Sequence, residues 1–375
     1  MAETGVARPL TQQAIRELAG FRCETGALSF YVDLDRQRRP SWDEVEEAAA
    51  RLARRARRLP GAARRASDSA DDVDLVLARF GWGVDRSRAR GLAVFSCRAR
   101  DFYRQYVLTE PVPDLVAFGP RFRIAPLEEA LAADTPLLAA LVDRQRCRLF
   151  WCRSGGTVEV PGPVDRPERA VDTGCQIGGF DRHGEEELRR HGRHAAEALG
   201  REAGRRPGAP ILLGGTEPAV SAVQRLLPAE LGRRLAGSLP LAVNAPLDDV
   251  AAVLADARTE LARAAESQAV DRICDLAGEG HGAVAGLGPA LAALRQQRVD
   301  TLVVSRTLDA PAATCPSCGW LGEAAARCPE CGGAAEAVDS FDLSVEEAAA
   351  QRARVVFADQ PRLDAVGGIA VLERF

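Results

Sequence analysis

The chain has 375 residues, with 49 basic and 53 acidic side chains and a formal net charge of −4. Apolar residues make up 46% and charged residues 27%, an ordinary globular composition that excludes wholesale disorder. The slightly acidic net charge also excludes a protein that coats nucleic acid through overall positive charge. Any contact with nucleic acid must therefore be local. Because we find neither a secretory signal nor a run of about 18 apolar residues, we expect a cytoplasmic protein with no membrane partner.

The sequence predicts an N-terminal α/β domain in residues 1–134. A short helix precedes "GALSFYVDLD", in which Leu28, Phe30 and Val32 alternate with smaller or polar neighbours as in a strand. Ser41 is a candidate N-cap for the helix "SWDEVEEAAARLARRARRL", which is acidic at its start and carries arginines at 51–58. Two or three strands follow in "RGLAVFSC" and "FYRQYVLTEPVPDLVAFGPRF", and the Pro-containing "RIAPLEEALAADTP" is interpreted as a connection.

The sequence predicts a middle domain in residues 135–265. The stretch "LLAALVDRQRCRLFWCRSGGTVEV" indicates antiparallel strands joined by turns. Farther along, "APILLGG" predicts a buried strand, and the helix after it should break at Pro228. "LPLAVNAP" is a further strand candidate, and the segment from Leu247 predicts one long helix or two abutting helices.

The sequence predicts a C-terminal α/β domain in residues 266–375. A cysteine-rich insertion at 313–335 interrupts it. The helices "GPALAALRQQR" and "SVEEAAAQRA" alternate with the strands "VDTLVVSR" and "RVVFAD". The fold class predicted for the whole chain is therefore α/β (α+β) in three domains.

The insertion contains two Cys-x-x-Cys pairs, each written Cys-Pro-x-Cys-Gly. Four thiolates at this spacing complete a tetrahedral site with no open position, which predicts structural Zn²⁺ and not a catalytic metal. A redox dithiol pair and an iron site are the alternatives that the spacing leaves open. The four predicted ligands are Cys315, Cys318, Cys328 and Cys331.

Three of the four histidines lie within the segment "GGFDRHGEEELRRHGRHAAEAL". Asp181 is a candidate N-cap for a helix there, and His191 lies close to the apolar stripe, where we expect a packed, hydrogen-bonded side chain. The glutamates in the same helix nearly cancel its arginines, so a solvated helix face explains the charges as well as a phosphate site does. The residues that we single out for RNA contact are Arg182, His183, Arg189, Arg190, Arg193 and His194.

This segment resembles the Gly-Gly-Gln turn and following helix of the archaeal and eukaryotic class-1 peptide chain release factors. Pelota and the bacterial release-factor-like (Balon-related) proteins belong to the same superfamily. The resemblance continues through "ILLGGTEPAVSAVQRLLPAEL" and "GLGPALAALRQQRVDTLVVSR" and covers roughly residues 136–375. It implies a three-domain release-factor-like architecture with an RNase H-like middle domain and a zinc ribbon in the last domain.

The departure from the family motif lies at its third position. Gly178 and Gly179 match the two glycines, but Phe180 stands where release factors have glutamine. In the family, that glutamine helps to position the water that hydrolyses peptidyl-tRNA. Phenylalanine offers neither a donor nor an acceptor, so we expect no hydrolysis by this route. Gln176 is near enough in sequence to substitute only if the loop rearranges.

The resemblance therefore implies a bacterial ribosome-associated factor that is non-hydrolytic and acts in hibernation, stalled-ribosome rescue or translation stress. Its implied partners are the ribosome and rRNA or tRNA, with a translational GTPase as a further candidate. One alternative is a peptidyl-tRNA hydrolase or atypical release factor that uses other residues. A second alternative is a zinc-ribbon adaptor that binds another protein.

Overall fold

The computed structural model describes residues 6–59, 66–87, 89–162 and 180–374, with the backbone alone for 66–70 and 180–185. Two compact units divide the chain: residues 1–134 together with 264–375, and residues 135–263. Both units combine helices with mixed sheets, which confirms the predicted α/β class. The division into three domains stays a prediction. Within the described ranges, every helix is too short or too polar to cross a bilayer.

A five-stranded sheet forms the N-terminal part of the first unit, in the order β1-β4-β3-β2-β5. All its strand pairs are antiparallel except the parallel pair of β1 and β4. Its strands are β1 (Arg8–Pro9), β2 (Ala27–Asp33), β3 (Gly91–Cys97), β4 (Phe102–Leu108) and β5 (Leu115–Gly119). The accompanying helices are α1 (Gln12–Ala19), α2 (Trp42–Ala56), α3 (Ala66–Arg79) and α4 (Ala125–Ala133).

The predicted strand in "GALSFYVDLD" is β2, which is buried along its whole length. Phe30 and Val32 face a core formed with α2 and α3, while Ala27 and Tyr31 face a second core formed with α1 and α4. Helices therefore cover both faces of the sheet, and Tyr31 satisfies its hydroxyl by donating a hydrogen bond to the carbonyl of Arg123 at 2.5 Å.

The start of α2 matches its prediction, and the segment before residue 134 does not. Ser41 accepts a hydrogen bond from the Glu44 amide at 3.2 Å, and the Glu44 carboxylate accepts one from the Ser41 amide, which forms a capping box. The segment interpreted as a connection is helix α4 instead. Its Pro126 lies in the first turn, where the missing N–H costs no helical hydrogen bond.

The second unit contains one five-stranded sheet in the order β10-β9-β6-β7-β8. Strands β10, β9 and β6 are parallel neighbours, and β6, β7 and β8 are antiparallel neighbours. These strands are β6 (Leu137–Val142), β7 (Cys147–Arg153), β8 (Gly156–Val160), β9 (Ile211–Gly215) and β10 (Leu235–Leu239). Its helices include α5 (Phe180–Gly204), α6 (Glu217–Leu226) and α7 (Ala229–Gly232).

Two predictions for this part of the chain have different outcomes. The helix breaks before Pro228 as expected, because α6 ends at Leu226 and α7 begins at Ala229. The strand predicted in "LPLAVNAP" is wrong, since β10 ends at Leu239 and Pro240 cannot donate to a strand ladder. The long helical pattern that follows is one continuous helix of 33 residues, α8 (Leu247–Glu279).

The C-terminal part of the first unit contains a four-stranded sheet in the order β11-β17-β12-β16 and a three-stranded ribbon in the order β14-β13-β15. The sheet comprises β11 (Ala283–Ala285), β12 (Val299–Val304), β16 (Arg354–Phe357) and β17 (Ile369–Glu373). The ribbon comprises β13 (Pro311–Thr314), β14 (Leu321–Glu323) and β15 (Glu336–Asp339). The helices are α9 (Leu287–Arg295), α10 (Ser340–Ala350) and α11 (Pro361–Asp364).

Helix α10 joins the N-terminal and C-terminal parts of the first unit. Its Ala349 belongs to the core around α1 and α4, while its Leu343 and Ala348 belong to the core of the C-terminal sheet. Charged side chains surround this contact, because Arg121 pairs with Glu347 and Arg123 pairs with Asp342. The two parts are thus held by shared apolar burial and by ion pairs.

Glu346 on α10 lies inside this contact and is 8% exposed. Burial raises its pKa from 4.5 to about 8, although the charge of Arg121, 3.9 Å away, acts in the opposite direction. Asp342 is affected in the same way, since burial raises its pKa to about 6 against the attraction of Arg123. Near neutral pH, Glu346 is therefore mostly protonated in the folded protein.

The raised pKa of Glu346 makes the stability of the protein depend on pH. The folded state holds this proton to a higher pH than the unfolded chain does, so the free energy of unfolding should fall as pH rises from about 4.5 to about 8. Replacement by neutral glutamine removes this loss. We expect Glu346→Gln to be more stable than the parent at pH 8, by up to about 4 kcal/mol, and to show little gain at pH 4.5, in thermal unfolding.

Glu347→Gln is the matched control on the same helix. It removes the ion pair with Arg121 and leaves Glu346 in place, so it should lower the melting temperature and keep the decline towards pH 8. A decline towards pH 8 that is as steep in Glu346→Gln as in the parent would contradict the assignment.

Candidate functional site

The histidine- and arginine-rich segment forms helix α5, which has 25 residues and begins at Phe180. Asp181 is therefore the second residue of the helix and not the N-cap that the sequence predicted. The predicted loop residues Gly178 and Gly179, and also Gln176, lie outside the described residues, as do the side chains of Phe180, Arg182 and His183. The side chains of this helix are described from Glu186 onward.

The described part of α5 exposes the remaining residues predicted for RNA contact. Arg189, Arg190, Arg193 and His194 are all exposed. On a regular helix Arg189 and Arg193 project within about 40° of each other, so their guanidinium groups lie on one stripe. Arg190 forms only a 4.0 Å ion pair with Glu187, and both side chains are more than half exposed, so solvent and salt weaken that pair.

The opposite face of α5 is buried and fixes the orientation of the stripe. Ala195 and Leu199 lie in a core with strands of the sheet, as their spacing predicted. Gly192 permits close packing against α6, because a Cβ atom at this position would lie 3.1 Å from the Ala222 methyl carbon. His191 is half-buried as predicted, but its Nε2 is buried without a hydrogen-bond partner among the described residues, contrary to expectation.

The C-terminal end of α5 is held by arginines that the sequence analysis missed. Arg234 donates hydrogen bonds to the carbonyls of Ala203, Arg206 and Ala209 at 3.2, 2.8 and 2.8 Å. Glu202 is 3% exposed and forms ion pairs with Arg205 and Arg206. Burial alone would raise the pKa of Glu202, but these two arginines lower it, so the carboxylate stays charged in the fold.

Of these contacts, only the pairing of Glu202 with Arg205 and Arg206 has a local spacing that the sequence could have indicated. The bonds of Arg234 span up to 31 residues, and the guanidinium of Arg206 also lies 4.8 Å from the centre of the Trp151 ring. Each residue alone looks like one more surface arginine in an arginine-rich chain. Together they hold the end of α5 and the segment after it, because Arg234 bonds to Ala203 in the last turn and to Arg206 and Ala209 beyond it.

The four predicted metal ligands lie together at one end of the ribbon. The Sγ atoms of Cys315, Cys318, Cys328 and Cys331 are all within 4.8 Å of one another. Two of the separations, Cys315 to Cys331 and Cys318 to Cys328, are 3.5 Å. A tetrahedral metal with four thiolate ligands has sulfur atoms about 3.8 Å apart, so the four thiols could hold a metal ion after shifts of about 1 Å or less.

Two equivalent turns present the four thiols. In the first, the Gly319 amide donates to the Cys315 carbonyl at 2.8 Å, and in the second the Gly332 amide donates to the Cys328 carbonyl at 3.0 Å. Both glycines have positive φ angles, 74° and 73°, which explains glycine at the end of each Cys-Pro-x-Cys-Gly unit. The same turns direct backbone amides towards sulfur. Against the effect of burial, amide hydrogen bonds lower the pKa of Cys315 to about 6.

The ribbon is fixed to the C-terminal sheet by a bidentate ion pair. Arg295 at the end of α9 donates to both carboxylate oxygens of Glu330, one of them at 2.6 Å. Glu330 lies between the two cysteines of the second turn, so the pair connects the thiol cluster to α9 directly. The cluster could hold one metal ion through four sulfur ligands. All four tetrahedral coordination positions would then be filled by protein, so none would be open to a substrate.

The described geometry can be compared with known proteins. Residues 123–262, little more than a third of the chain, match the family model for bacterial archaeo-eukaryotic release factor family 10. This match includes α5 and the sheet beneath it, and it confirms the resemblance predicted from the sequence. No curated protein shows a significant sequence match to the chain.

Several solved structures are also similar to the chain. The archaeal translation termination factor aRF1 aligns over 98% of this chain and 99% of its own, with 15% identity and a TM-score of 0.25. Archaeal Pelota, from a ribosome-bound model with ABCE1, aligns over 98% and 95%, with 12% identity and a TM-score of 0.43. The C-terminal domain of the Methanosarcina mazei peptide chain release factor aligns over 36% and 98%, with 24% identity and a TM-score of 0.26.

The thiol cluster predicts one bound metal ion per chain. We expect elemental analysis of the purified protein to find one equivalent of metal, and Cys315→Ser and Cys331→Ser each to lose it, because three thiolates hold the ion far more weakly than four. Cys274→Ser is the matched control, since Cys274 lies outside the cluster. Full metal content in both ligand variants would contradict the site.

Proposed function

We propose that this protein is a ribosome-associated translation factor of the release-factor type, from the premise that residues 123–262 match bacterial archaeo-eukaryotic release factor family 10. This match is the observation that carries the proposal. We propose as alternatives that it acts on hibernating ribosomes, on stalled ribosomes or on ribosomes under translation stress. We assign the protein to the cytoplasm on the same ground, with a translational GTPase as a candidate partner.

The exposed face of α5 supports contact with rRNA or tRNA. Arg189, Arg193 and His194 are exposed on a helix whose opposite face is packed, so the packing fixes the spacing of their Cα atoms. Guanidinium groups bind phosphate oxygens in bidentate fashion. We therefore propose these three residues, together with Arg182, His183 and Arg190, as an RNA-contacting surface.

The arginines at 51–58 provide a second candidate surface in the other unit. Arg54, Arg55 and Arg58 are exposed at the end of α2, whereas Arg51 and Arg57 pair with Glu47 and Asp74. This surface carries local positive charge in a chain whose net charge is −4, so it suits local contact with phosphates.

We further propose that the protein does not hydrolyse peptidyl-tRNA through its Gly-Gly-Phe motif. Phe180 has no polar group that could position a water molecule, and the nearest alternatives in sequence are Gln176 and His183. The aromatic ring can instead pack in the loop or stack on a base, an interaction worth about 1–3 kcal/mol.

The metal in the four-cysteine cluster is proposed to be structural zinc. Four thiolate ligands in tetrahedral spacing suit Zn²⁺, which when bound would hold the two turns of the ribbon together. Iron in a rubredoxin-like site is the alternative, and a visible absorption band would reveal it. Zinc in the elemental analysis, with a colourless protein, is the expected result.

Ribosome binding tests the proposed function directly. We expect the protein to co-sediment with ribosomes at low salt and to dissociate as salt rises. The double variant Arg189→Ala/Arg193→Ala should bind about 10-fold more weakly and show a salt dependence shallower by about 1 to 2 in log–log slope. Arg225→Ala/Arg233→Ala removes the same charge from exposed positions outside α5 and should bind like the parent.

The absence of ribosome binding at low salt would contradict the proposal. In that case the zinc-ribbon adaptor, which binds a protein partner through the C-terminal part, becomes the leading function. Equal weakening by both double variants would show that net charge alone, and not the α5 stripe, determines binding.

A peptidyl-tRNA hydrolysis assay tests the non-hydrolytic assignment. We expect no release above background with ribosomes that the protein demonstrably binds. If a missing glutamine is the only defect, Phe180→Gln should gain release activity, while Phe180→Leu, the matched apolar control, should not. Turnover by the parent protein that disappears in His183→Ala or Gln176→Ala would contradict the assignment and favour an atypical release factor.

A further inference from the structure

Two cysteines outside the metal cluster lie against each other in the N-terminal part of the first unit. The Sγ atoms of Cys23 and Cys97 are 3.2 Å apart, although the residues are 74 positions apart in sequence. Their exposed fractions are 4% and 0%, and both belong to the core around α1 and α4. A disulfide bond has a length of about 2.05 Å, so the two sulfur atoms need to approach by little more than about 1 Å.

The backbone holds both cysteines in this arrangement. Cys23 donates its amide to the Pro120 carbonyl at 2.9 Å, and its carbonyl accepts from the Gly26 amide at 3.1 Å. Cys97 is the last residue of β3, whose register with β2 pairs Ser96 with Leu28. The turn at 23–26 and the end of β3 are therefore fixed side by side, and neither element has to unfold for the sulfur atoms to react.

The two sulfur atoms have different surroundings. The Cys23 Sγ lies 3.0 Å from the Thr25 hydroxyl. The Cys97 thiol points towards the Cys23 Sγ and also lies 3.4 Å from the Gly26 carbonyl. Burial would raise the pKa of Cys23, but its hydrogen bonds from Thr25 and Cys97 outweigh burial and lower it. Burial and the adjacent Cys23 sulfur raise the pKa of Cys97 to about 12. Cys23 is thus the better nucleophile of the pair.

Access from solvent is also better for Cys23. Its chain neighbours Arg22 and Glu24 are both exposed, so the turn that carries Cys23 lies at the surface, whereas Cys97 follows a buried stretch of β3. A water-sized oxidant can reach such a position through small fluctuations, whereas a protein or a tripeptide disulfide cannot approach a sulfur that is 4% exposed. The oxidant class that fits this site is therefore a small hydroperoxide.

We propose that Cys23 and Cys97 form a peroxide-sensitive dithiol that closes to a disulfide. The Cys23 thiolate attacks hydrogen peroxide, an S–O bond forms as the O–O bond breaks, and the departing hydroxide takes a proton to become water. The Cys97 sulfur then attacks the resulting sulfenic acid, the S–S bond forms as the S–O bond breaks, and the Cys97 proton leaves with the oxygen as a second water. Two thiols lose two electrons, and one peroxide gains them.

The new bond would connect the turn before β2 to the end of β3. It would close a loop that contains α2 and α3, so it restricts the unfolded chain more than the folded one. The oxidised protein should accordingly be more resistant to heat. This inference concerns the first unit alone and does not depend on the proposed ribosome binding.

The test uses the full-length protein treated with graded hydrogen peroxide, blocked with an alkylating reagent and digested without reduction. We expect mass spectrometry to find the Cys23–Cys97 cross-linked peptide pair, lighter by two hydrogen atoms than the separate peptides and abolished by dithiothreitol. The peptides of Cys315 and Cys331 serve as an internal standard, and the dose is kept below that at which they oxidise.

Variants assign the two steps to the two sulfur atoms. In Cys97→Ser the first step has no resolving thiol, so dimedone added with denaturant after the peroxide treatment should label Cys23 as sulfenic acid, whereas Cys23→Ser should leave Cys97 unlabelled. Peroxide should raise the melting temperature of the parent and of the matched control Cys274→Ser by about 5 °C, and of neither pair variant.

The cross-link experiment needs no variant, so it decides the proposal even if a substitution impairs folding. Cys23 and Cys97 that both remain alkylatable after peroxide, once the protein is denatured, would overturn the proposal and leave a pair of packed thiols. Cys23 driven to sulfinic acid beside an unmodified Cys97 would overturn it as well, because the second step would then be absent.

Discussion

The first unit depends on the burial of helix α10 between two cores. The chain reaches this helix only after the entire second unit has been traversed, and Ala349 then packs into a core otherwise built from residues before 131. Ala125 of α4 makes the reciprocal contribution to the C-terminal core. Because each core contains a residue from the other part, neither part has a complete apolar interior without its counterpart. Long-range burial of this kind is costly in chain entropy and has to be repaid by dense packing.

The ionic groups around α10 serve specificity more than stability. Arg121 and Arg123 pair with Glu347 and Asp342, but Glu346 is too buried for its charge to be favourable. Apolar packing alone would permit the helix to slide or rotate by one residue. Ion pairs in this position penalise such shifts, since a displaced helix would leave a buried carboxylate without its arginine. Apolar burial thus stabilises the contact, and the ion pairs define the position of the helix in it.

The sequence predicts local structure well where the signal is local. Ser41 and Glu44 define the start of α2 within four residues, and the two Cys-Pro-x-Cys-Gly units define the thiol turns in the same way. The sequence fails where tertiary context decides. Pro126 suggested a connection but occupies the first turn of α4. Long-range partners such as Arg234 for α5 leave no periodic trace at all.

The packing of Gly192 on Ala222 and the exposure of Arg193 explain how helix α5 presents its charges to solvent. The proposal that the Gly-Gly-Phe motif does not hydrolyse peptidyl-tRNA rests on the sequence, because the side chain of Phe180 has neither a hydrogen-bond donor nor an acceptor.

The way α5 is held has a mechanical consequence. Its C-terminal end is fixed by Arg234 and Glu202, while Phe180 lies 22 residues before Glu202, a distance of about 33 Å along a regular helix. The packed face of the helix begins at Leu188, so only the eight residues before it, about 12 Å of helix, extend beyond the described core contacts. A tilt of about 5° in that segment displaces the backbone of Phe180 by about 1 Å. Substitutions at Leu188 or Gly192 should therefore change the position of Phe180 more than substitutions at the C-terminal end do.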